Sequence, residues 1–292
     1  MAIVKADSAR AFVRGVKLPS PPIDVVRAVH SVRGPLAAPA AAPAAPPLEL
    51  KDKDAQALVV GSSLVAAAEN VPAEVRKDLV NCTLFAQLAA SGTVVDASNV
   101  TEWYRVYFDT LTTLGWAQNG TNFREFTSKG TKVETHKSII QVISLALGPT
   151  AAAATLIVEA LNALQSMEEN SPWITLFDRQ STASRSARFQ VATAQYADTG
   201  LLEIALVAFD LKSKAALTQV LFFKAASSSI KLKYADGKAT IYEDALEKNR
   251  ADVAARLDAY RSAYVKEVKF PPPPAAAAAN TRGAPRGRGA RN

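Results

Sequence analysis

Residues 188–210 read RFQVATAQYADTGLLEIALVAFD, and the period of this stretch decides the fold. Phe189, Val191 and Thr193 alternate with Arg188, Gln190 and Ala192, the two-residue repeat of a strand. Ala197 to Gly200 is turn sequence, and Leu202 to Phe209 resumes as a strand with apolar residues on both faces. Such a strand needs cover on both sides.

Downstream, Leu217–Lys224 predicts a third strand and Ile230–Tyr234 a fourth. Asp236-Gly237 is a hairpin signal that sets off a fifth strand at Lys238–Tyr242. The five strands predict an antiparallel meander. Leu246, Val253, Leu257, Tyr260 and Tyr264 then fall on one stripe of a long helix over 243–267, expected to pack on the sheet and ended by Pro271–Pro274.

Upstream lies the least ordinary segment. Ile139 to Val158 is twenty residues without a charge, broken by Gly148-Pro149 and diluted by four alanines. Its length meets the threshold for a membrane span, but the break predicts two helices, about 136–147 and 150–168. Before it, 122–127 and 131–135 predict two strands joined at Lys129-Gly130. Asn99 with Glu102 caps a helix bearing Trp103, Tyr107, Leu111 and Leu114, ended by Gly115. Asn70 and Pro72 start a helix with Val75, Leu79, Cys82 and Ala86 on its stripe. Asp52 or Asp54 predicts the cap of an earlier helix reaching Glu69.

The fold class is therefore α+β. A mainly helical N-terminal half packs with a mostly antiparallel five-stranded meander and a long C-terminal helix, between disordered Pro/Ala-rich ends. The boundaries are a flexible basic leader at 1–48, one globular core at 49–270, and a Pro/Ala/Arg/Gly tail at 271–292.

The chain carries a net charge of +7. Residues 1–50 hold a net +3, and Arg282, Arg286, Arg288 and Arg291 add +4 with no acid beside them, so the core is neutral. This places the excess charge on the ends rather than on a folded basic face. The tail arginines offer weak contact to nucleic acid or an acidic protein. The sole cysteine, Cys82, forbids an internal disulfide and reads as a buried core thiol. The N-terminus has no apolar run of the secretory kind, so a cytoplasmic location is expected, with specialised export not excluded.

No motif assigns a catalytic, cofactor or metal site. Gly61-Ser62-Ser63 is too little for a phosphate loop, and two histidines, His30 and His136, are too few for a zinc motif. Glu134 and His136 would share a strand face, near the hydroxyl of Ser138, but a surface or cap pair explains them as well. Asp109, Asp178, Asp198 and Asp210 are isolated carboxylates, with Asp198 and Asp210 expected at turns. The sequons at Asn81, Asn99 and Asn119 read as chance.

Without catalytic motifs, the leading expectation is a non-enzymatic interaction or self-assembling structural protein, with a protein partner or homo-oligomer and no cofactor. The alternative is a membrane-acting, toxin-like protein that uses the uncharged helical hairpin 139–164 to contact lipid. A hydrolase of unknown substrate is a further alternative.

Overall fold

Gln56–Ala67, expected within a helix, is a β-hairpin. In the computed structural model the described residues are 6–21, 49–119, 122–127, 132–147, 152–167, 172–183, 185–217, 219–220, 224–226 and 230–268. β1 (Gln56–Val60) pairs antiparallel with β2 (Ser63–Ala67), and Val60 faces Ser63 across a two-residue turn. Gly61 makes that turn at φ 57°, a left-handed conformation that suits glycine. Both strands are buried along their whole length. A short apolar run of this kind has no period that separates a buried strand from a buried helix. Asp52, expected as a cap for that helix, instead accepts the Ala73 amide at 2.7 Å, at the start of the next one.

Seven helices are described: α1 (Ala6–Gly15), α2 (Ala73–Thr93), α3 (Val100–Thr113), α4 (Thr135–Leu147), α5 (Ala152–Ser166), α6 (Pro172–Ser181) and α7 (Glu243–Tyr264). The remaining strands are β3 (Trp116–Gln118), β4 (Arg124–Phe126), β5 (Lys132–Glu134), β6 (Thr182–Ala183), β7 (Ser186–Tyr196), β8 (Leu202–Ser213), β9 (Lys224–Ala226), β10 (Ile230–Ile241) and β11 (Val265–Glu267). The α+β class stands. The main sheet runs β11-β1-β2-β7-β8-β10-β3, with β4 also on β10 and β6 on β7, while β5 and β9 form a separate pair. Among the described residues all the pairings are antiparallel except β2 with β7.

The strands differ from expectation in three places. Asp236-Gly237 makes no turn: β10 runs through it, in register with β8 from Ile230↔Ser213 to Ala239↔Ile204. The long apolar edge of β8 accepts a partner of its own length, and Asp236 is held by Arg124 rather than by a hairpin. Of the strand expected at 217–224, Leu217, Gln219 and Val220 lie outside any strand, Lys224 opens β9, and the rest lies outside the described residues. β4 and β5 do not pair with each other, because β10 and β9 offer them partners instead.

Helices cover both faces of the sheet. One apolar core joins α1, α2, α3 and α7 to one face, through Val13, Leu84, Phe85, Trp103, Tyr107 and Leu257. A second joins α4, α5 and α6 to the other, through Ile139, Ile157, Phe177, Phe189, Phe209 and Leu211. Each such side chain contributes roughly 1.5–3 kcal/mol when fully buried. The last helix packs on α2 and α1 more than on the sheet. Residues 6–21, expected in the leader, are held there: Arg14 pairs with Asp252 at 3.1 Å, and Tyr260 donates to the Pro19 carbonyl at 2.7 Å. Residues 22–48 and the 271–292 tail, with its four arginines, lie outside the described residues.

Candidate functional site

The two helices expected at 136–147 and 150–168 are found as α4 and α5. On α4, Ile139, Val142 and Ile143 recur at three- and four-residue spacing, so they share one face. On α5, Leu156, Ile157, Ala160, Leu161 and Leu164 do the same. These two stripes meet each other and the apolar face formed by Val191, Val207 and Phe209. The outward face is only weakly polar. It carries Gln141, Ser144, Thr155, Glu159 and Asn162, and Leu145 stands 67% exposed among them.

Glu134 and His136 do not share a strand face, because the helix begins at Thr135 between them. The Glu134 carboxylate pairs with Lys137 at 2.7 Å. His136 is buried at 5% exposure in the α4–α5 seam, where it hydrogen-bonds the Leu161 backbone carbonyl. Its Nε2 has no partner among the described residues. Burial pushes the imidazole below its ordinary value of 6.5, against a smaller upward pull from Leu161 and Glu134. Ser138 is buried in the same first turns of α4. The geometry offers a buried histidine in an apolar seam rather than an acid–base–hydroxyl relay.

An open-sided cavity of about 350 Å³ lies under the C-terminal end of α4. Leu147 forms part of its wall, with Gln195, Glu203, Asp236, Lys238 and Asn119 around it. Gln195 donates to Glu203 at 3.1 Å, so the charged groups of this cavity are in part already engaged.

The other candidates have structural partners. Cys82 is buried in the α2 core, and desolvation pushes its thiol up to about 12. Ser62 and Ser63 donate into a buried amide cluster of Gln87 and Gln190 rather than lining a phosphate cradle. Asp109 pairs with Arg105 on the surface of α3, and Asp198 sits in the β7–β8 turn. Asp210, expected at a turn, lies inside β8. The side chain of Asp178 is outside the described set. Asn81 is 4% exposed within α2, Asn99 caps α3 through the Glu102 amide, and Asn119 accepts the Lys238 amide.

Sequence reading missed a charged row in which Arg188 and Asp210 are buried and Lys233 is exposed. Arg188, Asp210 and Lys233 are register neighbours on β7, β8 and β10. Arg188 lies 4.5 Å from the Trp103 ring centroid and donates to the Ala97 carbonyl at 3.0 Å. Burial lowers the Arg188 pKa and raises that of Asp210. The signal was present as an arginine in a strand with two covered faces.

No protein family matches the chain, and no curated protein matches it. Solved structures do. A delta-endotoxin is 15% identical with a TM-score of 0.39, covering 77% of this chain and 92% of its own. The activated Cyt2Ba monomer of Bacillus thuringiensis subsp. israelensis is 15% identical with a TM-score of 0.27, covering 43% and 73%. The Evf virulence factor is 9% identical with a TM-score of 0.37, covering 71% and 85%. At such scores these are likenesses in outline and carry no argument about activity.

Proposed function

We propose that this is a membrane-acting, toxin-like protein whose α4–α5 layer is the part that meets lipid. The observation that carries this reading is the apolar seam between that layer and the sheet. Ile139, Val142, Ile143, Ile157, Leu161 and Leu164 face Val191, Val207 and Phe209 across it. Among the described residues, Arg250 pairs with Asp78 and Arg14 with Asp252 between elements on the other side of the sheet, Arg124 pairs with Asp236 between β4 and β10 beside the cavity, and the Glu134–Lys137 pair at the start of α4 is local. An apolar seam is held by exclusion of water, and a lipid interface supplies an alternative apolar surface at little cost.

Geometry also limits the mode of contact. Among the described residues no helix is long and apolar enough to cross a membrane. At 1.5 Å per residue, α4 and α5 extend roughly 20 Å, against a hydrocarbon core of about 30 Å. In this reading they lie in the interface with the apolar stripe toward the acyl chains.

The test is release of an entrapped dye from phosphatidylcholine and mixed phosphatidylcholine–phosphatidylglycerol vesicles between pH 5 and 8. Release that is lost when Ile143 and Ile157 are both changed to Asp in a still-folded chain supports the reading. Inertness at every composition and pH overturns it. A stable oligomer in solution combined with that inertness points to the interaction or assembly role.

A further inference from the structure

We propose that His136 is an acid-sensitive latch, whose protonation opens the α4–α5 layer from the sheet. The neutral imidazole satisfies one nitrogen on the Leu161 carbonyl, across the seam from its own helix. Nε2 is buried and has no partner among the described residues, a state that suits a bare acceptor and not an N–H. Protonation would place a donor and a full charge on that buried atom, on a helix whose Ile139 and Ile143, three and seven residues on, belong to the apolar core against the sheet.

The surroundings give this cation little help. His136 lies in the first turn of α4, where the helix dipole is positive and opposes it. Glu134 and Lys137 flank it and are paired with each other. β5 adds Lys132, with Lys224 facing Glu134 in the β5–β9 register. On α5 the charged residue is Glu159, which points outward. The charges of β8 and β10 on the α4 side, Glu203, Asp236 and Lys238, line the cavity at the other end of the helix, beside Leu147. Asp210 and Lys233 are register neighbours of Arg188, which stacks on Trp103 of α3, on the opposite face of the sheet.

The sign follows from which form the fold prefers. The folded state favours neutral imidazole, with its pKa below the ordinary 6.5. The contribution of His136 to closure is full above that ordinary value and is lost as the pH falls from there through the folded value. Each pH unit between the two values is a tenfold rise in the opening constant at acid pH. The membrane consequence of opening rests on the function proposed above; the opening itself does not.

The experiment is hydrogen exchange of the full chain in solution without lipid, corrected for the intrinsic pH dependence of exchange. Amides of α4 and α5 should exchange faster at pH 5 than at pH 7.5, while those of α2 do not. His136→Gln should abolish that difference. Unchanged protection in the parent chain, or equal opening in the variant, overturns the latch. If His136→Gln does not fold at pH 7.5, the titration of the single imidazole in a His30→Gln chain decides instead. A midpoint at or above 6.5 overturns the latch, and a lower one that coincides with opening supports it. Dye release from phosphatidylcholine vesicles separates the two proposals. Opening without release leaves the latch and removes the membrane role; release with no opening at any pH does the reverse.

Discussion

Arg250 on α7 grips Asp78 on α2 through two parallel hydrogen bonds, Nε to Oδ1 at 2.9 Å and Nη2 to Oδ2 at 2.8 Å. The Asp78 side chain is 4% exposed, and Glu243 shares the guanidinium at 2.6 Å. Arg250→Met removes the partner and leaves a buried carboxylate behind. Chemical denaturation at pH 7 should show a loss of about 3 kcal/mol. Burial already raises the Asp78 pKa, and Arg250 is the main group holding it down. In the variant the folded state therefore binds a proton more readily than the unfolded chain, and the deficit should shrink as pH falls through that raised value. A deficit that grows toward acid pH would contradict the assignment.

Two glycines with positive φ should respond differently to alanine. A Cβ on Gly61 would lie 2.4 Å from Gln87 Oε1, which accepts both the amide and the hydroxyl of Ser62. A Cβ on Gly200, at φ +77°, meets nothing within 4 Å. Gly200→Ala should cost about 1 kcal/mol, the backbone term alone. Gly61→Ala adds a clash with a buried amide cluster and should cost about 3 kcal/mol in the same denaturation assay.

The Tyr104 hydroxyl fastens α3 to the middle of the sheet. It lies 2.9 Å from the Phe189 carbonyl and 2.8 Å from that of Phe209, donating to this pair, and it accepts from Gln190 Nε2 at 3.0 Å. Tyr104→Phe leaves the ring in place and strands the amide of Gln190. A loss of about 2 kcal/mol is expected, and Tyr104→Phe with Gln190→Leu should recover part of it.

Cys82 should resist alkylation in the native state. It is fully buried with its thiol pushed up to about 12, so little thiolate exists at pH 8. Labelling by iodoacetamide should follow global unfolding across a denaturant series. Fast labelling in buffer would show that the α2 core opens locally.

Much of this architecture was legible in one dimension. The alternation in 188–210 gives β7 and β8, and the charge-free run with Gly148-Pro149 gives the α4–α5 pair. What was not legible depended on partners distant in sequence. Asp236-Gly237 carries a local turn preference, but ten register pairs with β8 outweigh it. Asn70, expected as a helix cap, instead exchanges hydrogen bonds with the Tyr196 backbone. His136 looked like half of an acid–histidine pair because a strand period was assumed through Thr135. Only the helix start at that residue, and Leu161 across the seam, define its surroundings.

The parallel pairing of β2 with β7 has a consequence for biosynthesis. Ser63–Ala67 finds its neighbour at Gln190–Ala194, so the hairpin made first must wait for all of residues 68–189 to leave the ribosome. Until then both edges of that hairpin are open rows of amides and carbonyls, since β1 waits longer still for β11, on a segment whose side chains are mostly apolar on both faces. Translation thus creates a long interval in which the nascent chain is sticky. Folding yield should depend more on chaperone supply and synthesis rate than on the stability of the finished protein.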